Sequence, residues 1–303
     1  MPLLSGQVQS LRTAQIQALS TSSINELTTA QISTLSSSNI ASLSSAQISN
    51  LSSTLFGNLS SSQISSISTA ALSSLTSDKL QAFGTTGASA LSASQISALG
   101  TSGITNLSGS QLGALSTSAI NTLSTAQIAA LGTTNISNFS STQLRALSSS
   151  AIYTLSSAQV EQLDTKMATL TSSQIGALAT AVIKELSSAQ IQALGTSGIT
   201  ALKTNQIQAL DTLDVANLTS SQVGALSSAQ IAALTSSQIA GLETADMGAL
   251  SSTQIKALGT ATIGQLSSSQ IKTLTSTQLQ ALTSAQIQAL GTTGINQLTT
   301  TQI

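Results

Sequence analysis

The chain contains no cysteine and no histidine among its 303 residues. Without cysteine it can form neither disulfide bonds nor thiolate nucleophiles, and the usual Cys/His zinc sites are excluded. Without histidine it also lacks the most common acid–base catalyst of enzymes. We therefore predict a protein that is not an enzyme and that uses no metal ion and no cofactor.

Charged residues are also scarce, at 6% of the chain, and the net charge is −1. The lysines and arginines stand singly, so no basic patch is available for nucleic acid or an anionic membrane surface. No run approaches the roughly 18 apolar residues of a membrane span. The start, MPLLSGQVQS, lacks the basic and apolar regions of a Sec signal peptide. We expect no nucleic-acid partner, no membrane span and no Sec signal peptide.

The residues that are present form a repeated unit of eight, an octad. Residues 186–202 read LSSAQIQALGTSGITAL, in which apolar residues alternate in steps of five and three. We call the first of them the leading residue (Leu186) and the one five places later the central residue (Ile191). Leading residues recur from Leu3 to Leu298, with one octad a residue short between Leu163 and Leu170. The unbroken pattern predicts a single continuous solenoid of 38 octads over residues 1–303.

A second period concerns the residue before the central one. This position is glutamine in nearly every other octad, as at Gln95, Gln111 and Gln127, whereas the octads between carry Gly, Ala, Asn or Asp. Lys79 interrupts the glutamine series, and Gln230 and Gln278 occur in the other series. Because one octad cannot bury its own apolar face, we predict a 16-residue coil of two octads, 19 pairs in all, that stacks on its neighbours.

The octad predicts a short helix. A single long helix is excluded, since eight residues at 3.6 per turn rotate the apolar stripe by about 80° per octad. In LSSAQI, Ser187 is a good N-cap and Gln190 completes a capping box, while Leu186 and Ile191 form a hydrophobic staple. We therefore predict an all-α solenoid with one capped helix per octad. Glycine pairs such as Gly195/Gly198 and Gly291/Gly294 are expected to mark tighter corners.

A β-solenoid with a 16-residue coil is the alternative fold. Two short strands per coil are a common solenoid plan, and glutamine recurring once per coil forms internal ladders in such structures. Against this alternative, Ala, Gln and Leu form strands less readily than Val, Tyr or Thr, and the five–three spacing is not a strict period of two.

The two ends of the chain fit each other in sequence. Thr301-Gln302-Ile303 stops at a central residue, and Met1-Pro2-Leu3 reaches a leading residue three places on, so end and start together read as one octad. We therefore predict that copies assemble head to tail into a filament, because a heterologous contact that does not close gives an open polymer. The predicted subunit interface consists of Met1, Pro2, Leu3, Val8, Leu298, Gln302 and Ile303.

Other candidate sites are explained by the repeat itself. The carboxylate pairs Asp211/Asp214 and Glu243/Asp246 lie at cap and third helical positions, where carboxylates favour a helix N-terminus. The GTSG segments lack the lysine and the strand–loop–helix setting of a phosphate loop. Regular Ser and Thr residues could form a flat hydroxyl array, so a monomeric adhesin stalk or an ice- or glycan-binding module is the alternative function.

The tandem units LSSAQIQAL and LTSSQIAGL resemble the Ser/Thr/Ala/Gln-rich repeats of large secreted bacterial surface proteins, many of them labelled adhesins or "haem utilisation" proteins. The resemblance covers the whole chain. It implies an extracellular or cell-surface location, secretion without a Sec signal, and roles in adhesion or biofilm with the cell surface or extracellular matrix as partner. No residue pattern in the chain supports haem binding.

Overall fold

A computed structural model describes residues 4–302, which form short α-helices, one 3₁₀-helix and the turns between them, with no strand among these residues. The predicted all-α solenoid of short capped helices is confirmed, and the β-solenoid alternative is wrong. The chain divides into two compact units, Met1–Thr154 and Leu155–Ile303. The prediction of one continuous array over residues 1–303 stays a prediction.

The first unit contains nineteen helices in its described part. They are α1 (Ser5–Gln9), α2 (Thr13–Gln17), α3 (Thr21–Asn25), α4 (Thr29–Thr34), α5 (Ser37–Ser42), α6 (Ser45–Asn50), α7 (Ser53–Phe56), α8 (Ser61–Ser66), α9 (Thr69–Leu72), α10 (Ser77–Ala82), α11 (Gly84–Ala90), α12 (Ala93–Ala98), α13 (Gly100–Thr105), α14 (Gly109–Ala114), α15 (Thr117–Asn121), α16 (Thr125–Ala130), α17 (Thr133–Ser137), α18 (Ser141–Ala146) and α19 (Ser149–Tyr153).

The second unit continues the same succession up to residue 302. It contains α20 (Ser157–Glu161), the 3₁₀-helix η1 (Asp164–Thr169), α21 (Ser172–Ile175), α22 (Thr180–Ile183), α23 (Ser188–Ala193), α24 (Gly195–Ala201), α25 (Thr204–Ala209), α26 (Thr212–Ala216), α27 (Ser220–Ala225), α28 (Ser228–Ala233), α29 (Ser236–Ala240), α30 (Thr244–Ala249), α31 (Ser252–Ala257), α32 (Thr260–Ile263), α33 (Ser268–Thr273), α34 (Ser276–Gln280) and α35 (Ser284–Ile295).

A typical helix begins at the predicted cap and ends at or shortly before the next leading residue. In α23 the Gln190 amide N–H donates to Ser187 Oγ at 3.3 Å, and the Ser187 amide N–H donates to Gln190 Oε1 at 3.0 Å. This reciprocal capping box satisfies two amide groups that the first turn of a helix leaves free. A typical octad then closes at an extended leading residue, such as Leu131 with φ −66° and ψ 131°.

The coil is larger than the sequence predicts. Within the first unit α2 packs on α5 and α12 on α15, and within the second α24 packs on α27, so a helix contacts the helix three places later. Side chains reach one octad further, since Gln63 Nε2 donates to the carbonyl oxygens of Ile32 and Leu35, 31 and 28 residues earlier. One coil therefore contains between three and four octads, and the predicted 16-residue coil is wrong. Stacked glutamines lie four octads apart along the chain. Two such columns, offset by two octads, together give the 16-residue alternation seen in the sequence.

The core consists of central and leading residues. Central residues such as Ile96 and Ile128 are completely buried, and leading residues such as Leu131 and Leu147 are 3% exposed. Where phenylalanine replaces an aliphatic residue the core adapts, and the rings of Phe56 and Phe83 lie 5.4 Å apart in a tilted arrangement. The five–three spacing thus places two apolar side chains of every interior octad in the core.

The octad that is one residue short forms η1. Asp164, its first residue, has a φ of +43°, and Met167 takes the buried central place. A 3₁₀-helix rises about 2.0 Å per residue against 1.5 Å in an α-helix, so fewer residues cover a similar length. The shortened octad therefore fits between its neighbours without displacing the central residue from the core.

Candidate functional site

The most regular polar feature is the glutamine before the central residue. Gln63 Oε1 accepts from the Ser60 amide N–H at 2.8 Å, while Gln63 Nε2 donates to the carbonyls of Ile32 and Leu35, both at 2.8 Å. One side chain thus caps its own helix and joins it to the octad four places earlier. No buried side-chain nitrogen or oxygen among the described residues lacks a partner. We call these amide-to-carbonyl hydrogen bonds the amide ladder.

The ladder occurs in both units, and every donor given below lies in a later octad than its acceptor, so the succession of octads within each unit has a direction. Its donors include Gln47, Gln63, Gln95, Gln111, Gln127, Gln143, Gln190, Gln206, Gln222, Gln230, Gln238, Gln254, Gln270, Gln278, Gln286 and Gln302.

The exceptions noted in the sequence obey the same geometry. Lys79 Nζ donates to the Ser49 carbonyl, 30 residues earlier, so a lysine ammonium replaces the glutamine amide as donor. Gln190 reaches the Val160 carbonyl at 2.9 Å across 30 residues, because the short octad lies between them. In both exceptions donor and acceptor are therefore four octads apart, whereas the number of residues between them varies along the ladder.

Glycine pairs form a second kind of corner, as predicted. In four octads the first glycine has a positive φ of 60° to 62°: Gly84, Gly100, Gly195 and Gly291. The second glycine then packs against the preceding leading side chain, since a Cβ on Gly103 would lie 2.7 Å from Leu99 Cβ. Gly132 opens an octad without a second glycine and has a φ of −66°. The pair, and not the first glycine alone, marks this corner.

The C-terminal coil leaves central residues uncovered. Ile287 is 44% exposed and Ile295 is 39% exposed, whereas Ile255 and Ile271, earlier in the same unit, are 0% and 3% exposed. The difference arises because later octads cover a central residue in the interior. The last described ladder donor, Gln302, reaches the carbonyls of Ile271 and Leu274. We call this surface, which includes α34 and α35, the C-terminal end face.

The N-terminal coil exposes glutamine amides and, in part, leading residues. Gln7 and Gln15 are exposed, and each accepts a capping hydrogen bond from its own helix start. Among residues 4–302, no acceptor binds the Nε2 group of either side chain. The leading residues of this coil are only half-buried: Leu11, Leu19 and Leu27. We call this surface, formed by α1 to α3, the N-terminal end face.

The structure places the predicted interface residues as follows. Val8 is completely buried, and its helix α1 packs on α4, three helices later in the same unit. Leu298 and Gln302 are half-buried near the C-terminal end face. The remaining predicted residues lie outside the described part of the chain: Met1, Pro2, Leu3 and Ile303. The interface stays a prediction, and Val8 is not exposed to a second copy.

Sequence analysis missed the exposed members of both end faces, namely Gln7, Gln15, Ile287 and Ile295. The signal that could have found them is the glutamine position itself, once the four-octad reach of the amide is known. Gln7 and Gln15 have no octad four places upstream in the described chain.

The pair Asp211/Asp214 acts within its own octad, whereas Asp246 binds a side chain of an earlier octad. Asp214 is buried in α26, and its amide N–H donates to Asp211 Oδ1 at 2.6 Å. Burial raises the pKa of the Asp214 carboxyl to about 6; the hydrogen bond from the Asp211 amide N–H opposes this rise, and the negative charge of Asp211 adds to it. Asp246 is also buried and accepts from Ser220 Oγ at 2.6 Å. No group of three acidic side chains within residues 4–302 is arranged to hold a metal ion.

None of the helices within residues 4–302 combines the length and the apolar character that crossing a membrane requires. Curated proteins include no match to the chain. Four segments match the ALTTAQ repeat family, together just under half of the chain: residues 104–141, 167–204, 207–243 and 239–276. In these segments the chain is similar to ALTTAQ repeats, and it is a tandem-repeat protein.

Proposed function

We propose that the chain is a non-enzymatic structural protein whose copies join head to tail into an extracellular filament or surface fibre. The observation that carries this proposal is the complementarity of the two end faces. The C-terminal end face exposes two central residues, Ile287 and Ile295, and the N-terminal end face exposes two amide donors, Gln7 and Gln15. These are the two halves of every interior junction between coils.

The interior junction supplies the energetic reason for joining. There a later coil covers the central residues of an earlier one and donates glutamine amides to its carbonyl groups. Covering an exposed isoleucine contributes roughly 25 cal/mol per Å² of apolar surface removed from water. A second copy of the same chain supplies both the apolar cover and the donors. The faces differ from each other, so the contact is heterologous and gives an open polymer.

The proposed extracellular location has a separate basis. The resemblance of the octads to secreted bacterial surface repeats favours a fibre that contacts the cell surface or the extracellular matrix, with roles in adhesion or biofilm. The composition is compatible with this location, since the chain has no cysteine that oxidation would modify. Immunogold labelling of intact and permeabilised source cells tests the location, and a signal confined to permeabilised cells contradicts it.

The assembly is tested with substitutions on the C-terminal end face. We expect wild-type protein to form filaments in electron micrographs and to grow with concentration in sedimentation velocity. The double variant Ile287→Lys/Ile295→Lys should remain monomeric, because each junction would then bury two unpaired ammonium groups. Both residues are exposed in the single chain, so the fold should survive, which circular dichroism checks.

The matched control places the same charges elsewhere. Tyr153 and Leu213 are 63% and 68% exposed and lie outside both end faces. The variant Tyr153→Lys/Leu213→Lys should therefore assemble like the wild type. Equal filaments from the Ile287/Ile295 variant would contradict head-to-tail joining through these faces. Wild-type monomers at every concentration would instead favour the monomeric stalk.

A further inference from the structure

The amide ladder has two donors without acceptors near the start of the described chain and carbonyl groups without donors near its end, and their arrangement sets how two copies meet. Gln7 and Gln15 lie in successive octads, eight residues apart, and their Nε2 groups have no acceptor among residues 4–302. Within the second unit, the octads of Gln278 and Gln286 are also successive. No side-chain amide of the described residues reaches the carbonyl groups of Leu279, Leu282 and Ile287.

Interior contacts define where each donor should go. Gln254 donates to the carbonyls of Val223 and Leu226, 31 and 28 residues earlier. Where a glycine pair follows the acceptor octad, the second acceptor becomes the first glycine of that pair. Gln127 accordingly donates to the carbonyls of Ile96 and Gly100, at 3.0 and 3.3 Å. Gly291 begins such a corner directly after the octad of Gln286.

We infer that head-to-tail joining occurs in one register, in which Gln7 of one copy donates to the carbonyls of Leu279 and Leu282 of a second copy, and Gln15 donates to those of Ile287 and Gly291. In this register the four-octad reach of the ladder continues across the joint. The contact also covers Ile287 and Ile295 with the half-buried leading residues of α1 to α3. This inference rests on the proposed function and adds the residues that decide orientation and register.

A conservative change isolates the donors. Gln7→Glu/Gln15→Glu keeps the side-chain oxygen that accepts from the N-cap amide, as Gln15 Oε1 does from the Arg12 N–H at 2.9 Å. It replaces each amide donor by a carboxylate, which would face carbonyl oxygens at the joint. The loss of both amide donors and this repulsion should weaken the joint about 10- to 100-fold in sedimentation equilibrium. Lowering the pH to about 4 should restore part of the affinity, because protonated glutamate donates again.

The matched control is Gln9→Glu/Gln17→Glu. These glutamines lie in the same two helices, are exposed, and precede no central residue. The control adds the same two negative charges, so it accounts for long-range repulsion between copies. Its joint should stay within about twofold of the wild type, since exposed surface charges contribute little. Equal weakening of both variants would overturn the assignment of Gln7 and Gln15 as donors.

Disulfide trapping tests the register itself, because the chain has no cysteine of its own. Interior helices three places apart bring the first helical residue of one near the second helical residue of the other, as in Ser37 Oγ of α5 to the Ser62 carbonyl of α8 at 3.2 Å. The proposed register places Thr292 and Ala14 of two copies in this relation. Single variants Thr292→Cys and Ala14→Cys, purified separately and mixed under oxidising conditions, should form covalent dimers.

The off-register control pairs Thr292→Cys with Ser22→Cys, one octad further along, and should give at least tenfold less dimer. Equal trapping of both pairs would overturn the single register. The outcomes also separate the two proposals. A wild type that never assembles overturns the proposed function and this inference together. A wild type that assembles while the Gln7/Gln15 variant joins as tightly, or traps out of register, overturns only this inference.

Discussion

Gln143 in an interior coil and Gln15 in the first coil occupy the same place in the same eight-residue unit. Gln143 is 3% exposed and donates to the carbonyls of Leu112 and Leu115 at 3.0 and 2.8 Å. Gln15 is exposed and only accepts, from the Arg12 amide at 2.9 Å. In both regions the glutamine accepts from the N-cap amide, so this half of the capping box is determined within the octad, although Arg12 has no side-chain acceptor for the return bond. Burial and the amide ladder come instead from octads three and four places away.

The first test of this difference in burial shortens a central residue in each region. Ile255→Ala should lower the free energy of unfolding by about 3 kcal/mol, because the side chain is completely buried and leaves a cavity. Ile287→Ala should cost about 1 kcal/mol or less, since nearly half of that side chain is already exposed. Denaturant unfolding below the assembly concentration measures both. Equal costs would contradict the uncovered state of the C-terminal end face.

The second test removes the glutamine in each region. Gln143→Ala deletes the cap acceptor and leaves two buried carbonyls without their amide, so it should cost about 2 kcal/mol. Gln15→Ala deletes only the cap acceptor and should cost about 0.5–1 kcal/mol. The difference between the two free energies isolates the amide ladder. Hydrogen exchange provides a second measurement, and a loss of protection that does not reach the octads around Leu112 would contradict the ladder's role in joining coils.

The same comparison explains how far the sequence predicts the structure. The capping box of Ser187 and Gln190 needs only residues of one octad, so the helix and its cap follow from local pattern. The size of the coil depends on the angle between successive helices, which backbone angles at leading residues such as Leu131 determine and an apolar pattern does not encode. The prediction of a 16-residue coil failed for this reason.

The candidate site was predicted only in part because it depends on the coil. Sequence continuity pointed to both ends of the chain, including the coil that carries Leu298 and Gln302, and this interface stays a prediction. Only the three-to-four-octad coil identifies Gln7 and Gln15 as donors without acceptors, and Ile287 as an exposed central residue. Val8 was predicted at the interface because the pattern treats all central residues alike, although later octads of the same chain already bury it.

A third test uses Asp214, which occupies the position of the ladder glutamine in an interior octad. Its substitution is expected to change the free energy of unfolding by less than the previous interior ones. Asp214→Asn should stabilise the fold by about 1–2 kcal/mol above pH 6, because an amide replaces a buried carboxylate. Asn39, at the same place in its octad, donates to the Leu11 carbonyl at 2.9 Å and provides the precedent. By analogy, the new amide should donate to the Leu186 carbonyl, 28 residues earlier.

The pH dependence of Asp214 has a definite sign. Its pKa is raised from 3.8 to about 6 by burial, so the folded chain binds this proton more tightly than the unfolded chain. Stability from this group is therefore greatest below about pH 4, decreases as pH rises to about 6, and stays lower above that. Asp214→Asn should remove this decrease from the profile of unfolding midpoint against pH. An unchanged profile would assign the titration to another group.

The smallest expected difference concerns the helix caps themselves. Ser20 in the N-terminal coil and Ser148 in the interior each accept from the amide three residues later at 3.1 Å. Ser20→Ala and Ser148→Ala should each cost about 1 kcal/mol, and the two costs should agree within about 0.5 kcal/mol. Differential denaturant unfolding of the two variants measures this. A cap that mattered several-fold more in the interior would mean that neighbouring coils strengthen it, and the division between local caps and long-range burial would then be wrong.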